Sequence, residues 1–383
     1  MKNSNFQNII KTLIAGILLF SFIPAMAKAP FLTKEELSFP PPRIIRTCCA
    51  FGANLGIAGV PFIKKTDITS IGEMGSHHYL GNKDEHNGNI YTKRGGFIDL
   101  GHLRDCADWT AYLYQLIIAS EDNQELVITH LGNEGGSKNL VLRIPEEFNE
   151  LDALELAGKI AYDLSLWHEI ATWFGSSYVP LVPERFSSFS PEDLFSNLLG
   201  VKLSQQAIKS NLDYNEAMTL MLSEMLDSLE AFTTAEETYD AMEKVDNLWY
   251  TSQKRLPNNK LLLKRYLDTD SHLTPWLVPG EESFLPPYVL NKPETNLSDL
   301  YQLSIKLNFR FPVKNIFSEE SDRVVTQNDF DIFTQHIQNE LDELEIHEEL
   351  HLNKVEKRKE KKRITRKERA NILPFVIFQK AAF

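Results

Sequence analysis

Past its first residues, the chain has no long apolar stretch. Of its 383 residues, only "TLIAGILLFSFI" near the start is a sustained apolar run. That run is short of the ~20 residues a membrane span needs. Lys2 and Lys11 precede it, and Ala25-Met26-Ala27 follows as an A-x-A cleavage site, so residues 1–27 are expected to be a secretory signal peptide. No cysteine stands directly after the run, at the cleavage site, which argues against a bacterial lipid anchor. The mature protein is expected to be exported, periplasmic or secreted. Cysteine is scarce as well: Cys48, Cys49 and Cys106 are the whole supply. Adjacent cysteines rarely bridge each other. One of the pair is free to join Cys106, and the other readings are a nucleophile near a histidine or, preferred, small buried residues. Positive charge is outweighed in the body of the chain. The net charge of −13 combines +2 in residues 1–27 with +8 in residues 354–383, which leaves −23 between them. A body that acidic is not expected to bind nucleic acid.

What is present reads as an α+β chain, predominantly helical. "PFLTKEELSFPPPR" is an extended lead-in with three consecutive prolines. Residues 46–100 are broken by glycines into short strand-like pieces such as "GNIYTKRGGFIDL". A helix is predicted over about 100–119, capped by Asp99. "ELVITHLGNEGGSKNLVLRIP" reads as a β-hairpin. Its turn lacks the Gly-Lys-Ser/Thr ending of a phosphate loop and lies between strands. A second helix is predicted over about 149–174. "FSPEDLFSNLLG" then suggests a helix with Ser190 as N-cap and Pro191 in its first turn. Further helices are expected over 204–230 and 235–254. Residues 257–315 look irregular, with a strand at "KLNFRFPV", and 326–370 read as one polar helix. Three parts are expected: the signal peptide (1–27), a main globular domain (28–315) and a charged helical C-terminal extension with a basic tail (316–383).

The chemistry gathers on the two central helices. In "GGFIDLGHLRDCADWTAYLYQL", His102, Asp105 and Cys106 share a helical face with Trp109, Leu113 and Leu116. A first-turn histidine is kept neutral by the helix dipole, as a ligand or general base requires. In "SLWHEIATWFG", His168 lies on the apolar stripe of Leu154, Ala157, Ala161 and Leu164, with Glu169 beside it. Thr172 replaces the second histidine of an HExxH pair, which excludes a zincin. A hairpin between the helices makes them antiparallel. His102 lies about 21 Å before Leu116, and His168 the same distance after Leu154, at 1.5 Å per residue. His102, Asp105, His168 and Glu169 are therefore expected to converge. They would act as ligands of a divalent metal such as zinc, or as a His–carboxylate acid/base pair, with a satisfied structural cluster as the other reading. His77, His78, Asp84, Glu85 and His86, in a Gly-bounded loop, read either as a metal or substrate loop or as a solvated turn.

The segments "RTCCAFG", "YTKRGGFIDLGHLRDCADWTAYLY" and "WHEIATWFG" resemble a family of exported bacterial proteins classed as a domain of unknown function. The resemblance covers about residues 41–200 and implies no activity or ligand. The function expected from the residues is that of an exported, envelope-associated hydrolase-like enzyme acting on a lipid or glycan. The alternative is a non-catalytic envelope binding or scaffold protein with a structural polar core. The basic tail, 354–383, is expected to attract an anionic membrane surface or to fold back on the acidic body.

Overall fold

The structure is a computed structural model. It describes residues 32–42, 45–46, 50–57, 60–64, 67–120, 125–145, 147–175, 184–267, 270–317 and 323–344. The segment expected to be a signal peptide (1–27), Cys48, Cys49 and the basic tail lie outside the described residues. The chain divides into two compact units, residues 1–330 and 331–383.

In the first unit a short helix, α1 (Lys34–Leu37), leads into β1 (Gly56–Ile57) and β2 (Val60–Lys64). The hairpin β3 (Asn89–Thr92) and β4 (Gly96–Asp99) feeds directly into α2 (Leu100–Ile118). Asp99 ends the strand and caps the helix, accepting hydrogen bonds from Gly101 N at 2.7 Å and His102 N at 3.0 Å. β5 (Glu125–Thr129) and β6 (Gly136–Arg143) pair antiparallel and return the chain to α3 (Glu150–Trp173), which Asn149 starts with a capping box. Thus the expected hairpin joins the two core helices, in a fold that is α+β and mostly helical.

α4 (Asp193–Lys209), α5 (Tyr214–Ser228) and α6 (Ala235–Lys244) follow. α4 begins two residues later than expected, and Ser190 is not its cap. The Ser190 hydroxyl instead donates to Glu192 Oε2 at 2.6 Å. The helix expected over 204–230 breaks between Lys209 and Tyr214, where Asp213 caps a new start. α2 packs against both α3 and α4. It is therefore a central helix rather than an amphipathic one: only Asp105, Gln115 and Ile118 are less than fully buried. Gly200 lets α4 come close, since a Cβ there would stand 2.0 Å from Leu103 O.

β7 (Arg255–Leu256) joins β1 in parallel, and β8 (His272–Leu273) pairs with β9 (Leu290–Asn291). β10 (Tyr301–Leu307) precedes a short α7 (Val313–Ile316) and then β11 (Val324–Thr326). The four-stranded sheet runs β11-β10-β6-β5, all antiparallel. β11 ties residues past 315 into the first unit, which ends at Phe330. A separate aromatic core of Phe51, Tyr91, Phe97, Trp249 and Tyr250 supports the β3–β4 hairpin. In the second unit the described residues, 331–344, are helical.

Candidate functional site: a buried histidine–carboxylate centre

His102 and His168 meet as the antiparallel geometry requires, with ring centroids 6.0 Å apart. His102 sits in the first turn of α2 and His168 near the last turns of α3. One ligand atom from each, together with a Glu169 carboxylate oxygen, lie within 4.8 Å of one another. Beside them is a cavity of about 50 Å³ lined by, among others, His102, His168, Trp109, Leu164 and Ser165. That is room for an ion and a water or two. The small residues of α3 divide their work. Ala161 and Ser165 leave space in the cavity, whereas a Cβ on Gly158 would press on Gln205 and Val201 of α4.

The protein fixes one carboxylate oxygen of Glu169 and both of Glu134. Glu169 Oε2 accepts from Phe189 N at 2.6 Å, while Oε1 stands 3.8 Å from His168 Nε2. Glu169 Oε1 is buried and has no hydrogen-bond partner among the described residues. Glu134 comes from the β5–β6 turn and holds His168 Nδ1 at 2.8 Å through Oε1; Lys138 Nζ donates to its Oε2 at 3.4 Å. The turn is clamped onto α3 by Trp167, whose Nε1 donates to Glu134 O at 2.9 Å. Gly135 lies against the same indole with φ +71, and a Cβ there would come within 2.5 Å of the ring. On the far side of His102, its Nδ1 stands 3.1 Å from Asp99 Oδ2 and 3.8 Å from Asp193 Oδ1. The adjacent Glu192 carboxyl is pushed up to about 8, chiefly by burial and then by the charge of Asp99, against the opposing Ser190 hydrogen bond.

Asp105 lines the cavity but does not join the histidines. Its carboxylate turns to Arg46, which donates to Oδ1 at 2.8 Å, and Oδ2 accepts from Ile45 N at 3.1 Å. The reason is that the other side of α2 also faces protein. There Arg46 reaches Glu85 at 2.6 Å and Asp108 at 3.0 Å, and His77 Nε2 lies 3.1 Å from Asp108 Oδ1. Burial alone would raise the Glu85 carboxyl, but hydrogen bonding and charge from Arg46 hold it at about 2. Burial pushes Asp105 up to about 6 despite Arg46, with Asp108 adding to the rise. The glycine-bounded loop is thus divided. His77 and Glu85 are buried in this ionic network, while His78, Asp84 and His86 are exposed. Cys106 is a buried free thiol pushed up to about 12, first by burial and then by Asp105, which leaves it without thiolate character.

Sequence reasoning missed Glu134, Asp193 and Glu192. Asp99 was legible only as a cap. Glu134 carried no periodic signal, since it sits in a glycine-rich turn whose placement depends on the sheet beyond it.

A helix-rich α+β unit built around two histidines and buried carboxylates is the class that fold and centre define. Within it, the chain belongs to the DUF4056 family of proteins of unknown function, whose model matches residues 36–279. No curated protein and no solved structure matches the chain. Among the described residues, no helix is long and apolar enough to cross a membrane.

Proposed function

We propose that this protein is an exported, metal-dependent hydrolase-like enzyme of the cell envelope, acting on a lipid or glycan. The carrying observation is the convergence of His102, His168 and Glu169 within 4.8 Å, with Glu169 Oε1 buried and aimed among them. A buried carboxylate oxygen without a partner costs free energy that a cation would recover. Two imidazoles and one carboxylate suit zinc, with an open position. Such an ion would supply Lewis acidity and a water of lowered pKa. Glu134 fixes the tautomer and orientation of His168, the role a carboxylate plays behind a ligating histidine. Trp109 and Leu164 give the cavity an apolar wall, and a lipid or sugar would present only its scissile group to a space of that size. Asp105 is assigned to holding Arg46 rather than to the ion.

The test is elemental analysis of purified wild type and His102→Ala, with turnover measured on chromogenic ester and glycoside substrates. At least one zinc per chain in wild type, lowered in the variant, together with hydrolysis that chelator removes, supports the reading. A metal-free wild type that His168→Ala merely destabilises, by about 1–3 kcal/mol for a lost buried polar contact, would favour the structural scaffold instead.

A further inference from the structure

We infer a second cation site on the opposite edge of His102, formed by Asp99, Asp193 and His102 itself, so that one imidazole is shared between two ions. The inference extends the proposed metal centre and rests on it only through His102. The three residues present ligand atoms within 4.8 Å of one another, and all three are buried. Each aspartate, like Glu169, has one oxygen held by a backbone N–H. Asp99 Oδ1 is used by the α2 cap, and Asp193 Oδ2 accepts from Ser190 N at 3.2 Å. The other oxygen of each is turned to His102 Nδ1.

The contact at Asp99 carries the argument. Its Oδ2 is 3.1 Å from His102 Nδ1, yet that oxygen is buried and accepts no aligned hydrogen bond among the described residues. Two atoms that close without donor–acceptor alignment are placed as neighbouring ligands of one ion are: at metal–ligand distances near 2.1 Å, adjacent ligands stand roughly 3 Å apart. Charge points the same way. Asp99, Asp193 and Glu169 are all buried around one ring. Arg265 answers Glu169 and Asp193. Apart from His102, no cationic side chain among the described residues contacts Asp99. A donor set of two carboxylates and an imidazole takes a first-row divalent cation of the zinc or manganese kind. With Nδ1 used on this side, Nε2 is the nitrogen left for the His168–Glu169 side. A neutral ring that ligates through both nitrogens gives up its N–H proton to solvent, so filling both sites releases at least one proton per chain.

The experiment is a zinc titration of chelator-stripped full-length protein, read as ions per chain, proton release in weak buffer and rise in melting temperature. It is run on wild type, Asp99→Asn and Glu169→Gln. Asparagine preserves the α2 cap and glutamine preserves the acceptor for Phe189 N, so both variants keep their structural hydrogen bond. The expected result is two ions in wild type and one in each variant. One ion in wild type, kept by Asp99→Asn and lost by Glu169→Gln, overturns the second site and leaves the first standing. Two ions retained in Asp99→Asn overturns it as well. One ion lost in Asp99→Asn but kept in Glu169→Gln sinks the first site instead. No ion in wild type sinks both. If either variant does not fold, the number of steps in the wild-type titration decides, one step counting against the proposal.

Discussion

Asp105 shows how a single carboxylate is drawn out of a site by a stronger neighbour. It stands one turn beyond His102 on α2, but Arg46 supplies an aligned donor at 2.8 Å and the histidine does not. A charge-assisted bond to a guanidinium outweighs a contact with a neutral ring. The choice has a pH signature. The folded protein raises Asp105 from 3.8 to about 6, chiefly by burial. Its protonated form is therefore favoured in the fold. That contribution to stability is complete below the unfolded value and is lost as pH rises to the folded one. Comparing Asp105→Asn with wild type by thermal melts, the variant should gain ground steadily from about pH 4 to about pH 7. A difference independent of pH would mean that burial does not govern this group. Glu85 has the opposite sign. Held at about 2 against an ordinary 4.5, it contributes stability above the ordinary value and loses it as pH falls towards the lower one.

At the scale of elements, helix spacing made the centre half visible. The positions of His102 and His168 on facing helices follow from period and hairpin alone. Glu169 follows as the neighbour of His168. What spacing could not give was the far face of α2. Arg104, Asp108 and Thr110 there are polar, and all three are fully buried. Arg46 answers Asp108, and Gly75, Glu85 and Asn87 accept from Arg104, so the partners that explain this come from elsewhere in the chain. Nor could spacing give the glycine-rich turn, which the sequence presents as a mere link. The turn is a clamp. Gly135→Ala would put a methyl into Trp167 at a left-handed φ. The expected cost is roughly 1–3 kcal/mol from overpacking, seen as a lower denaturant midpoint, together with weaker metal retention because Glu134 is displaced from His168. Gly200→Ala, which strikes the Leu103 backbone carbonyl rather than a side chain, should be at least as destabilising. If Gly135→Ala matches wild type in both readouts, the turn is only a link after all.

For the whole molecule, the distribution of charge matters more than its total. The basic residues of 354–383 are set against a body of −23. If the tail serves attachment to an anionic surface, full-length protein should sediment with anionic vesicles at low salt and be released as the Debye length shrinks below about 8 Å. A chain ending at residue 353 should stay in the supernatant. Equal behaviour of the two forms would remove the membrane from the account. The family match, in turn, ends before the fold does. β10 and β11 lie beyond residue 279, and β10 covers the edge of β6 along its length. A fragment of residues 36–279 should therefore expose an unpaired strand and aggregate, while one extending to 344 should stay monodisperse by light scattering.

The bracing of the turn by β10 also sets a timetable. Gly136 pairs with Leu307, and a Cβ on Gly136 would touch Lys306 O. Both helices of the centre and all of its histidines and carboxylates are synthesised well before that strand. The chain must emerge as far as Leu307 before the support behind Glu134 exists. Contacts so distant in sequence form late, since a large loop has to close first. Until then His168 would stand unclamped on its helix, so a nascent or C-terminally truncated product would carry the ligands without the means to hold them.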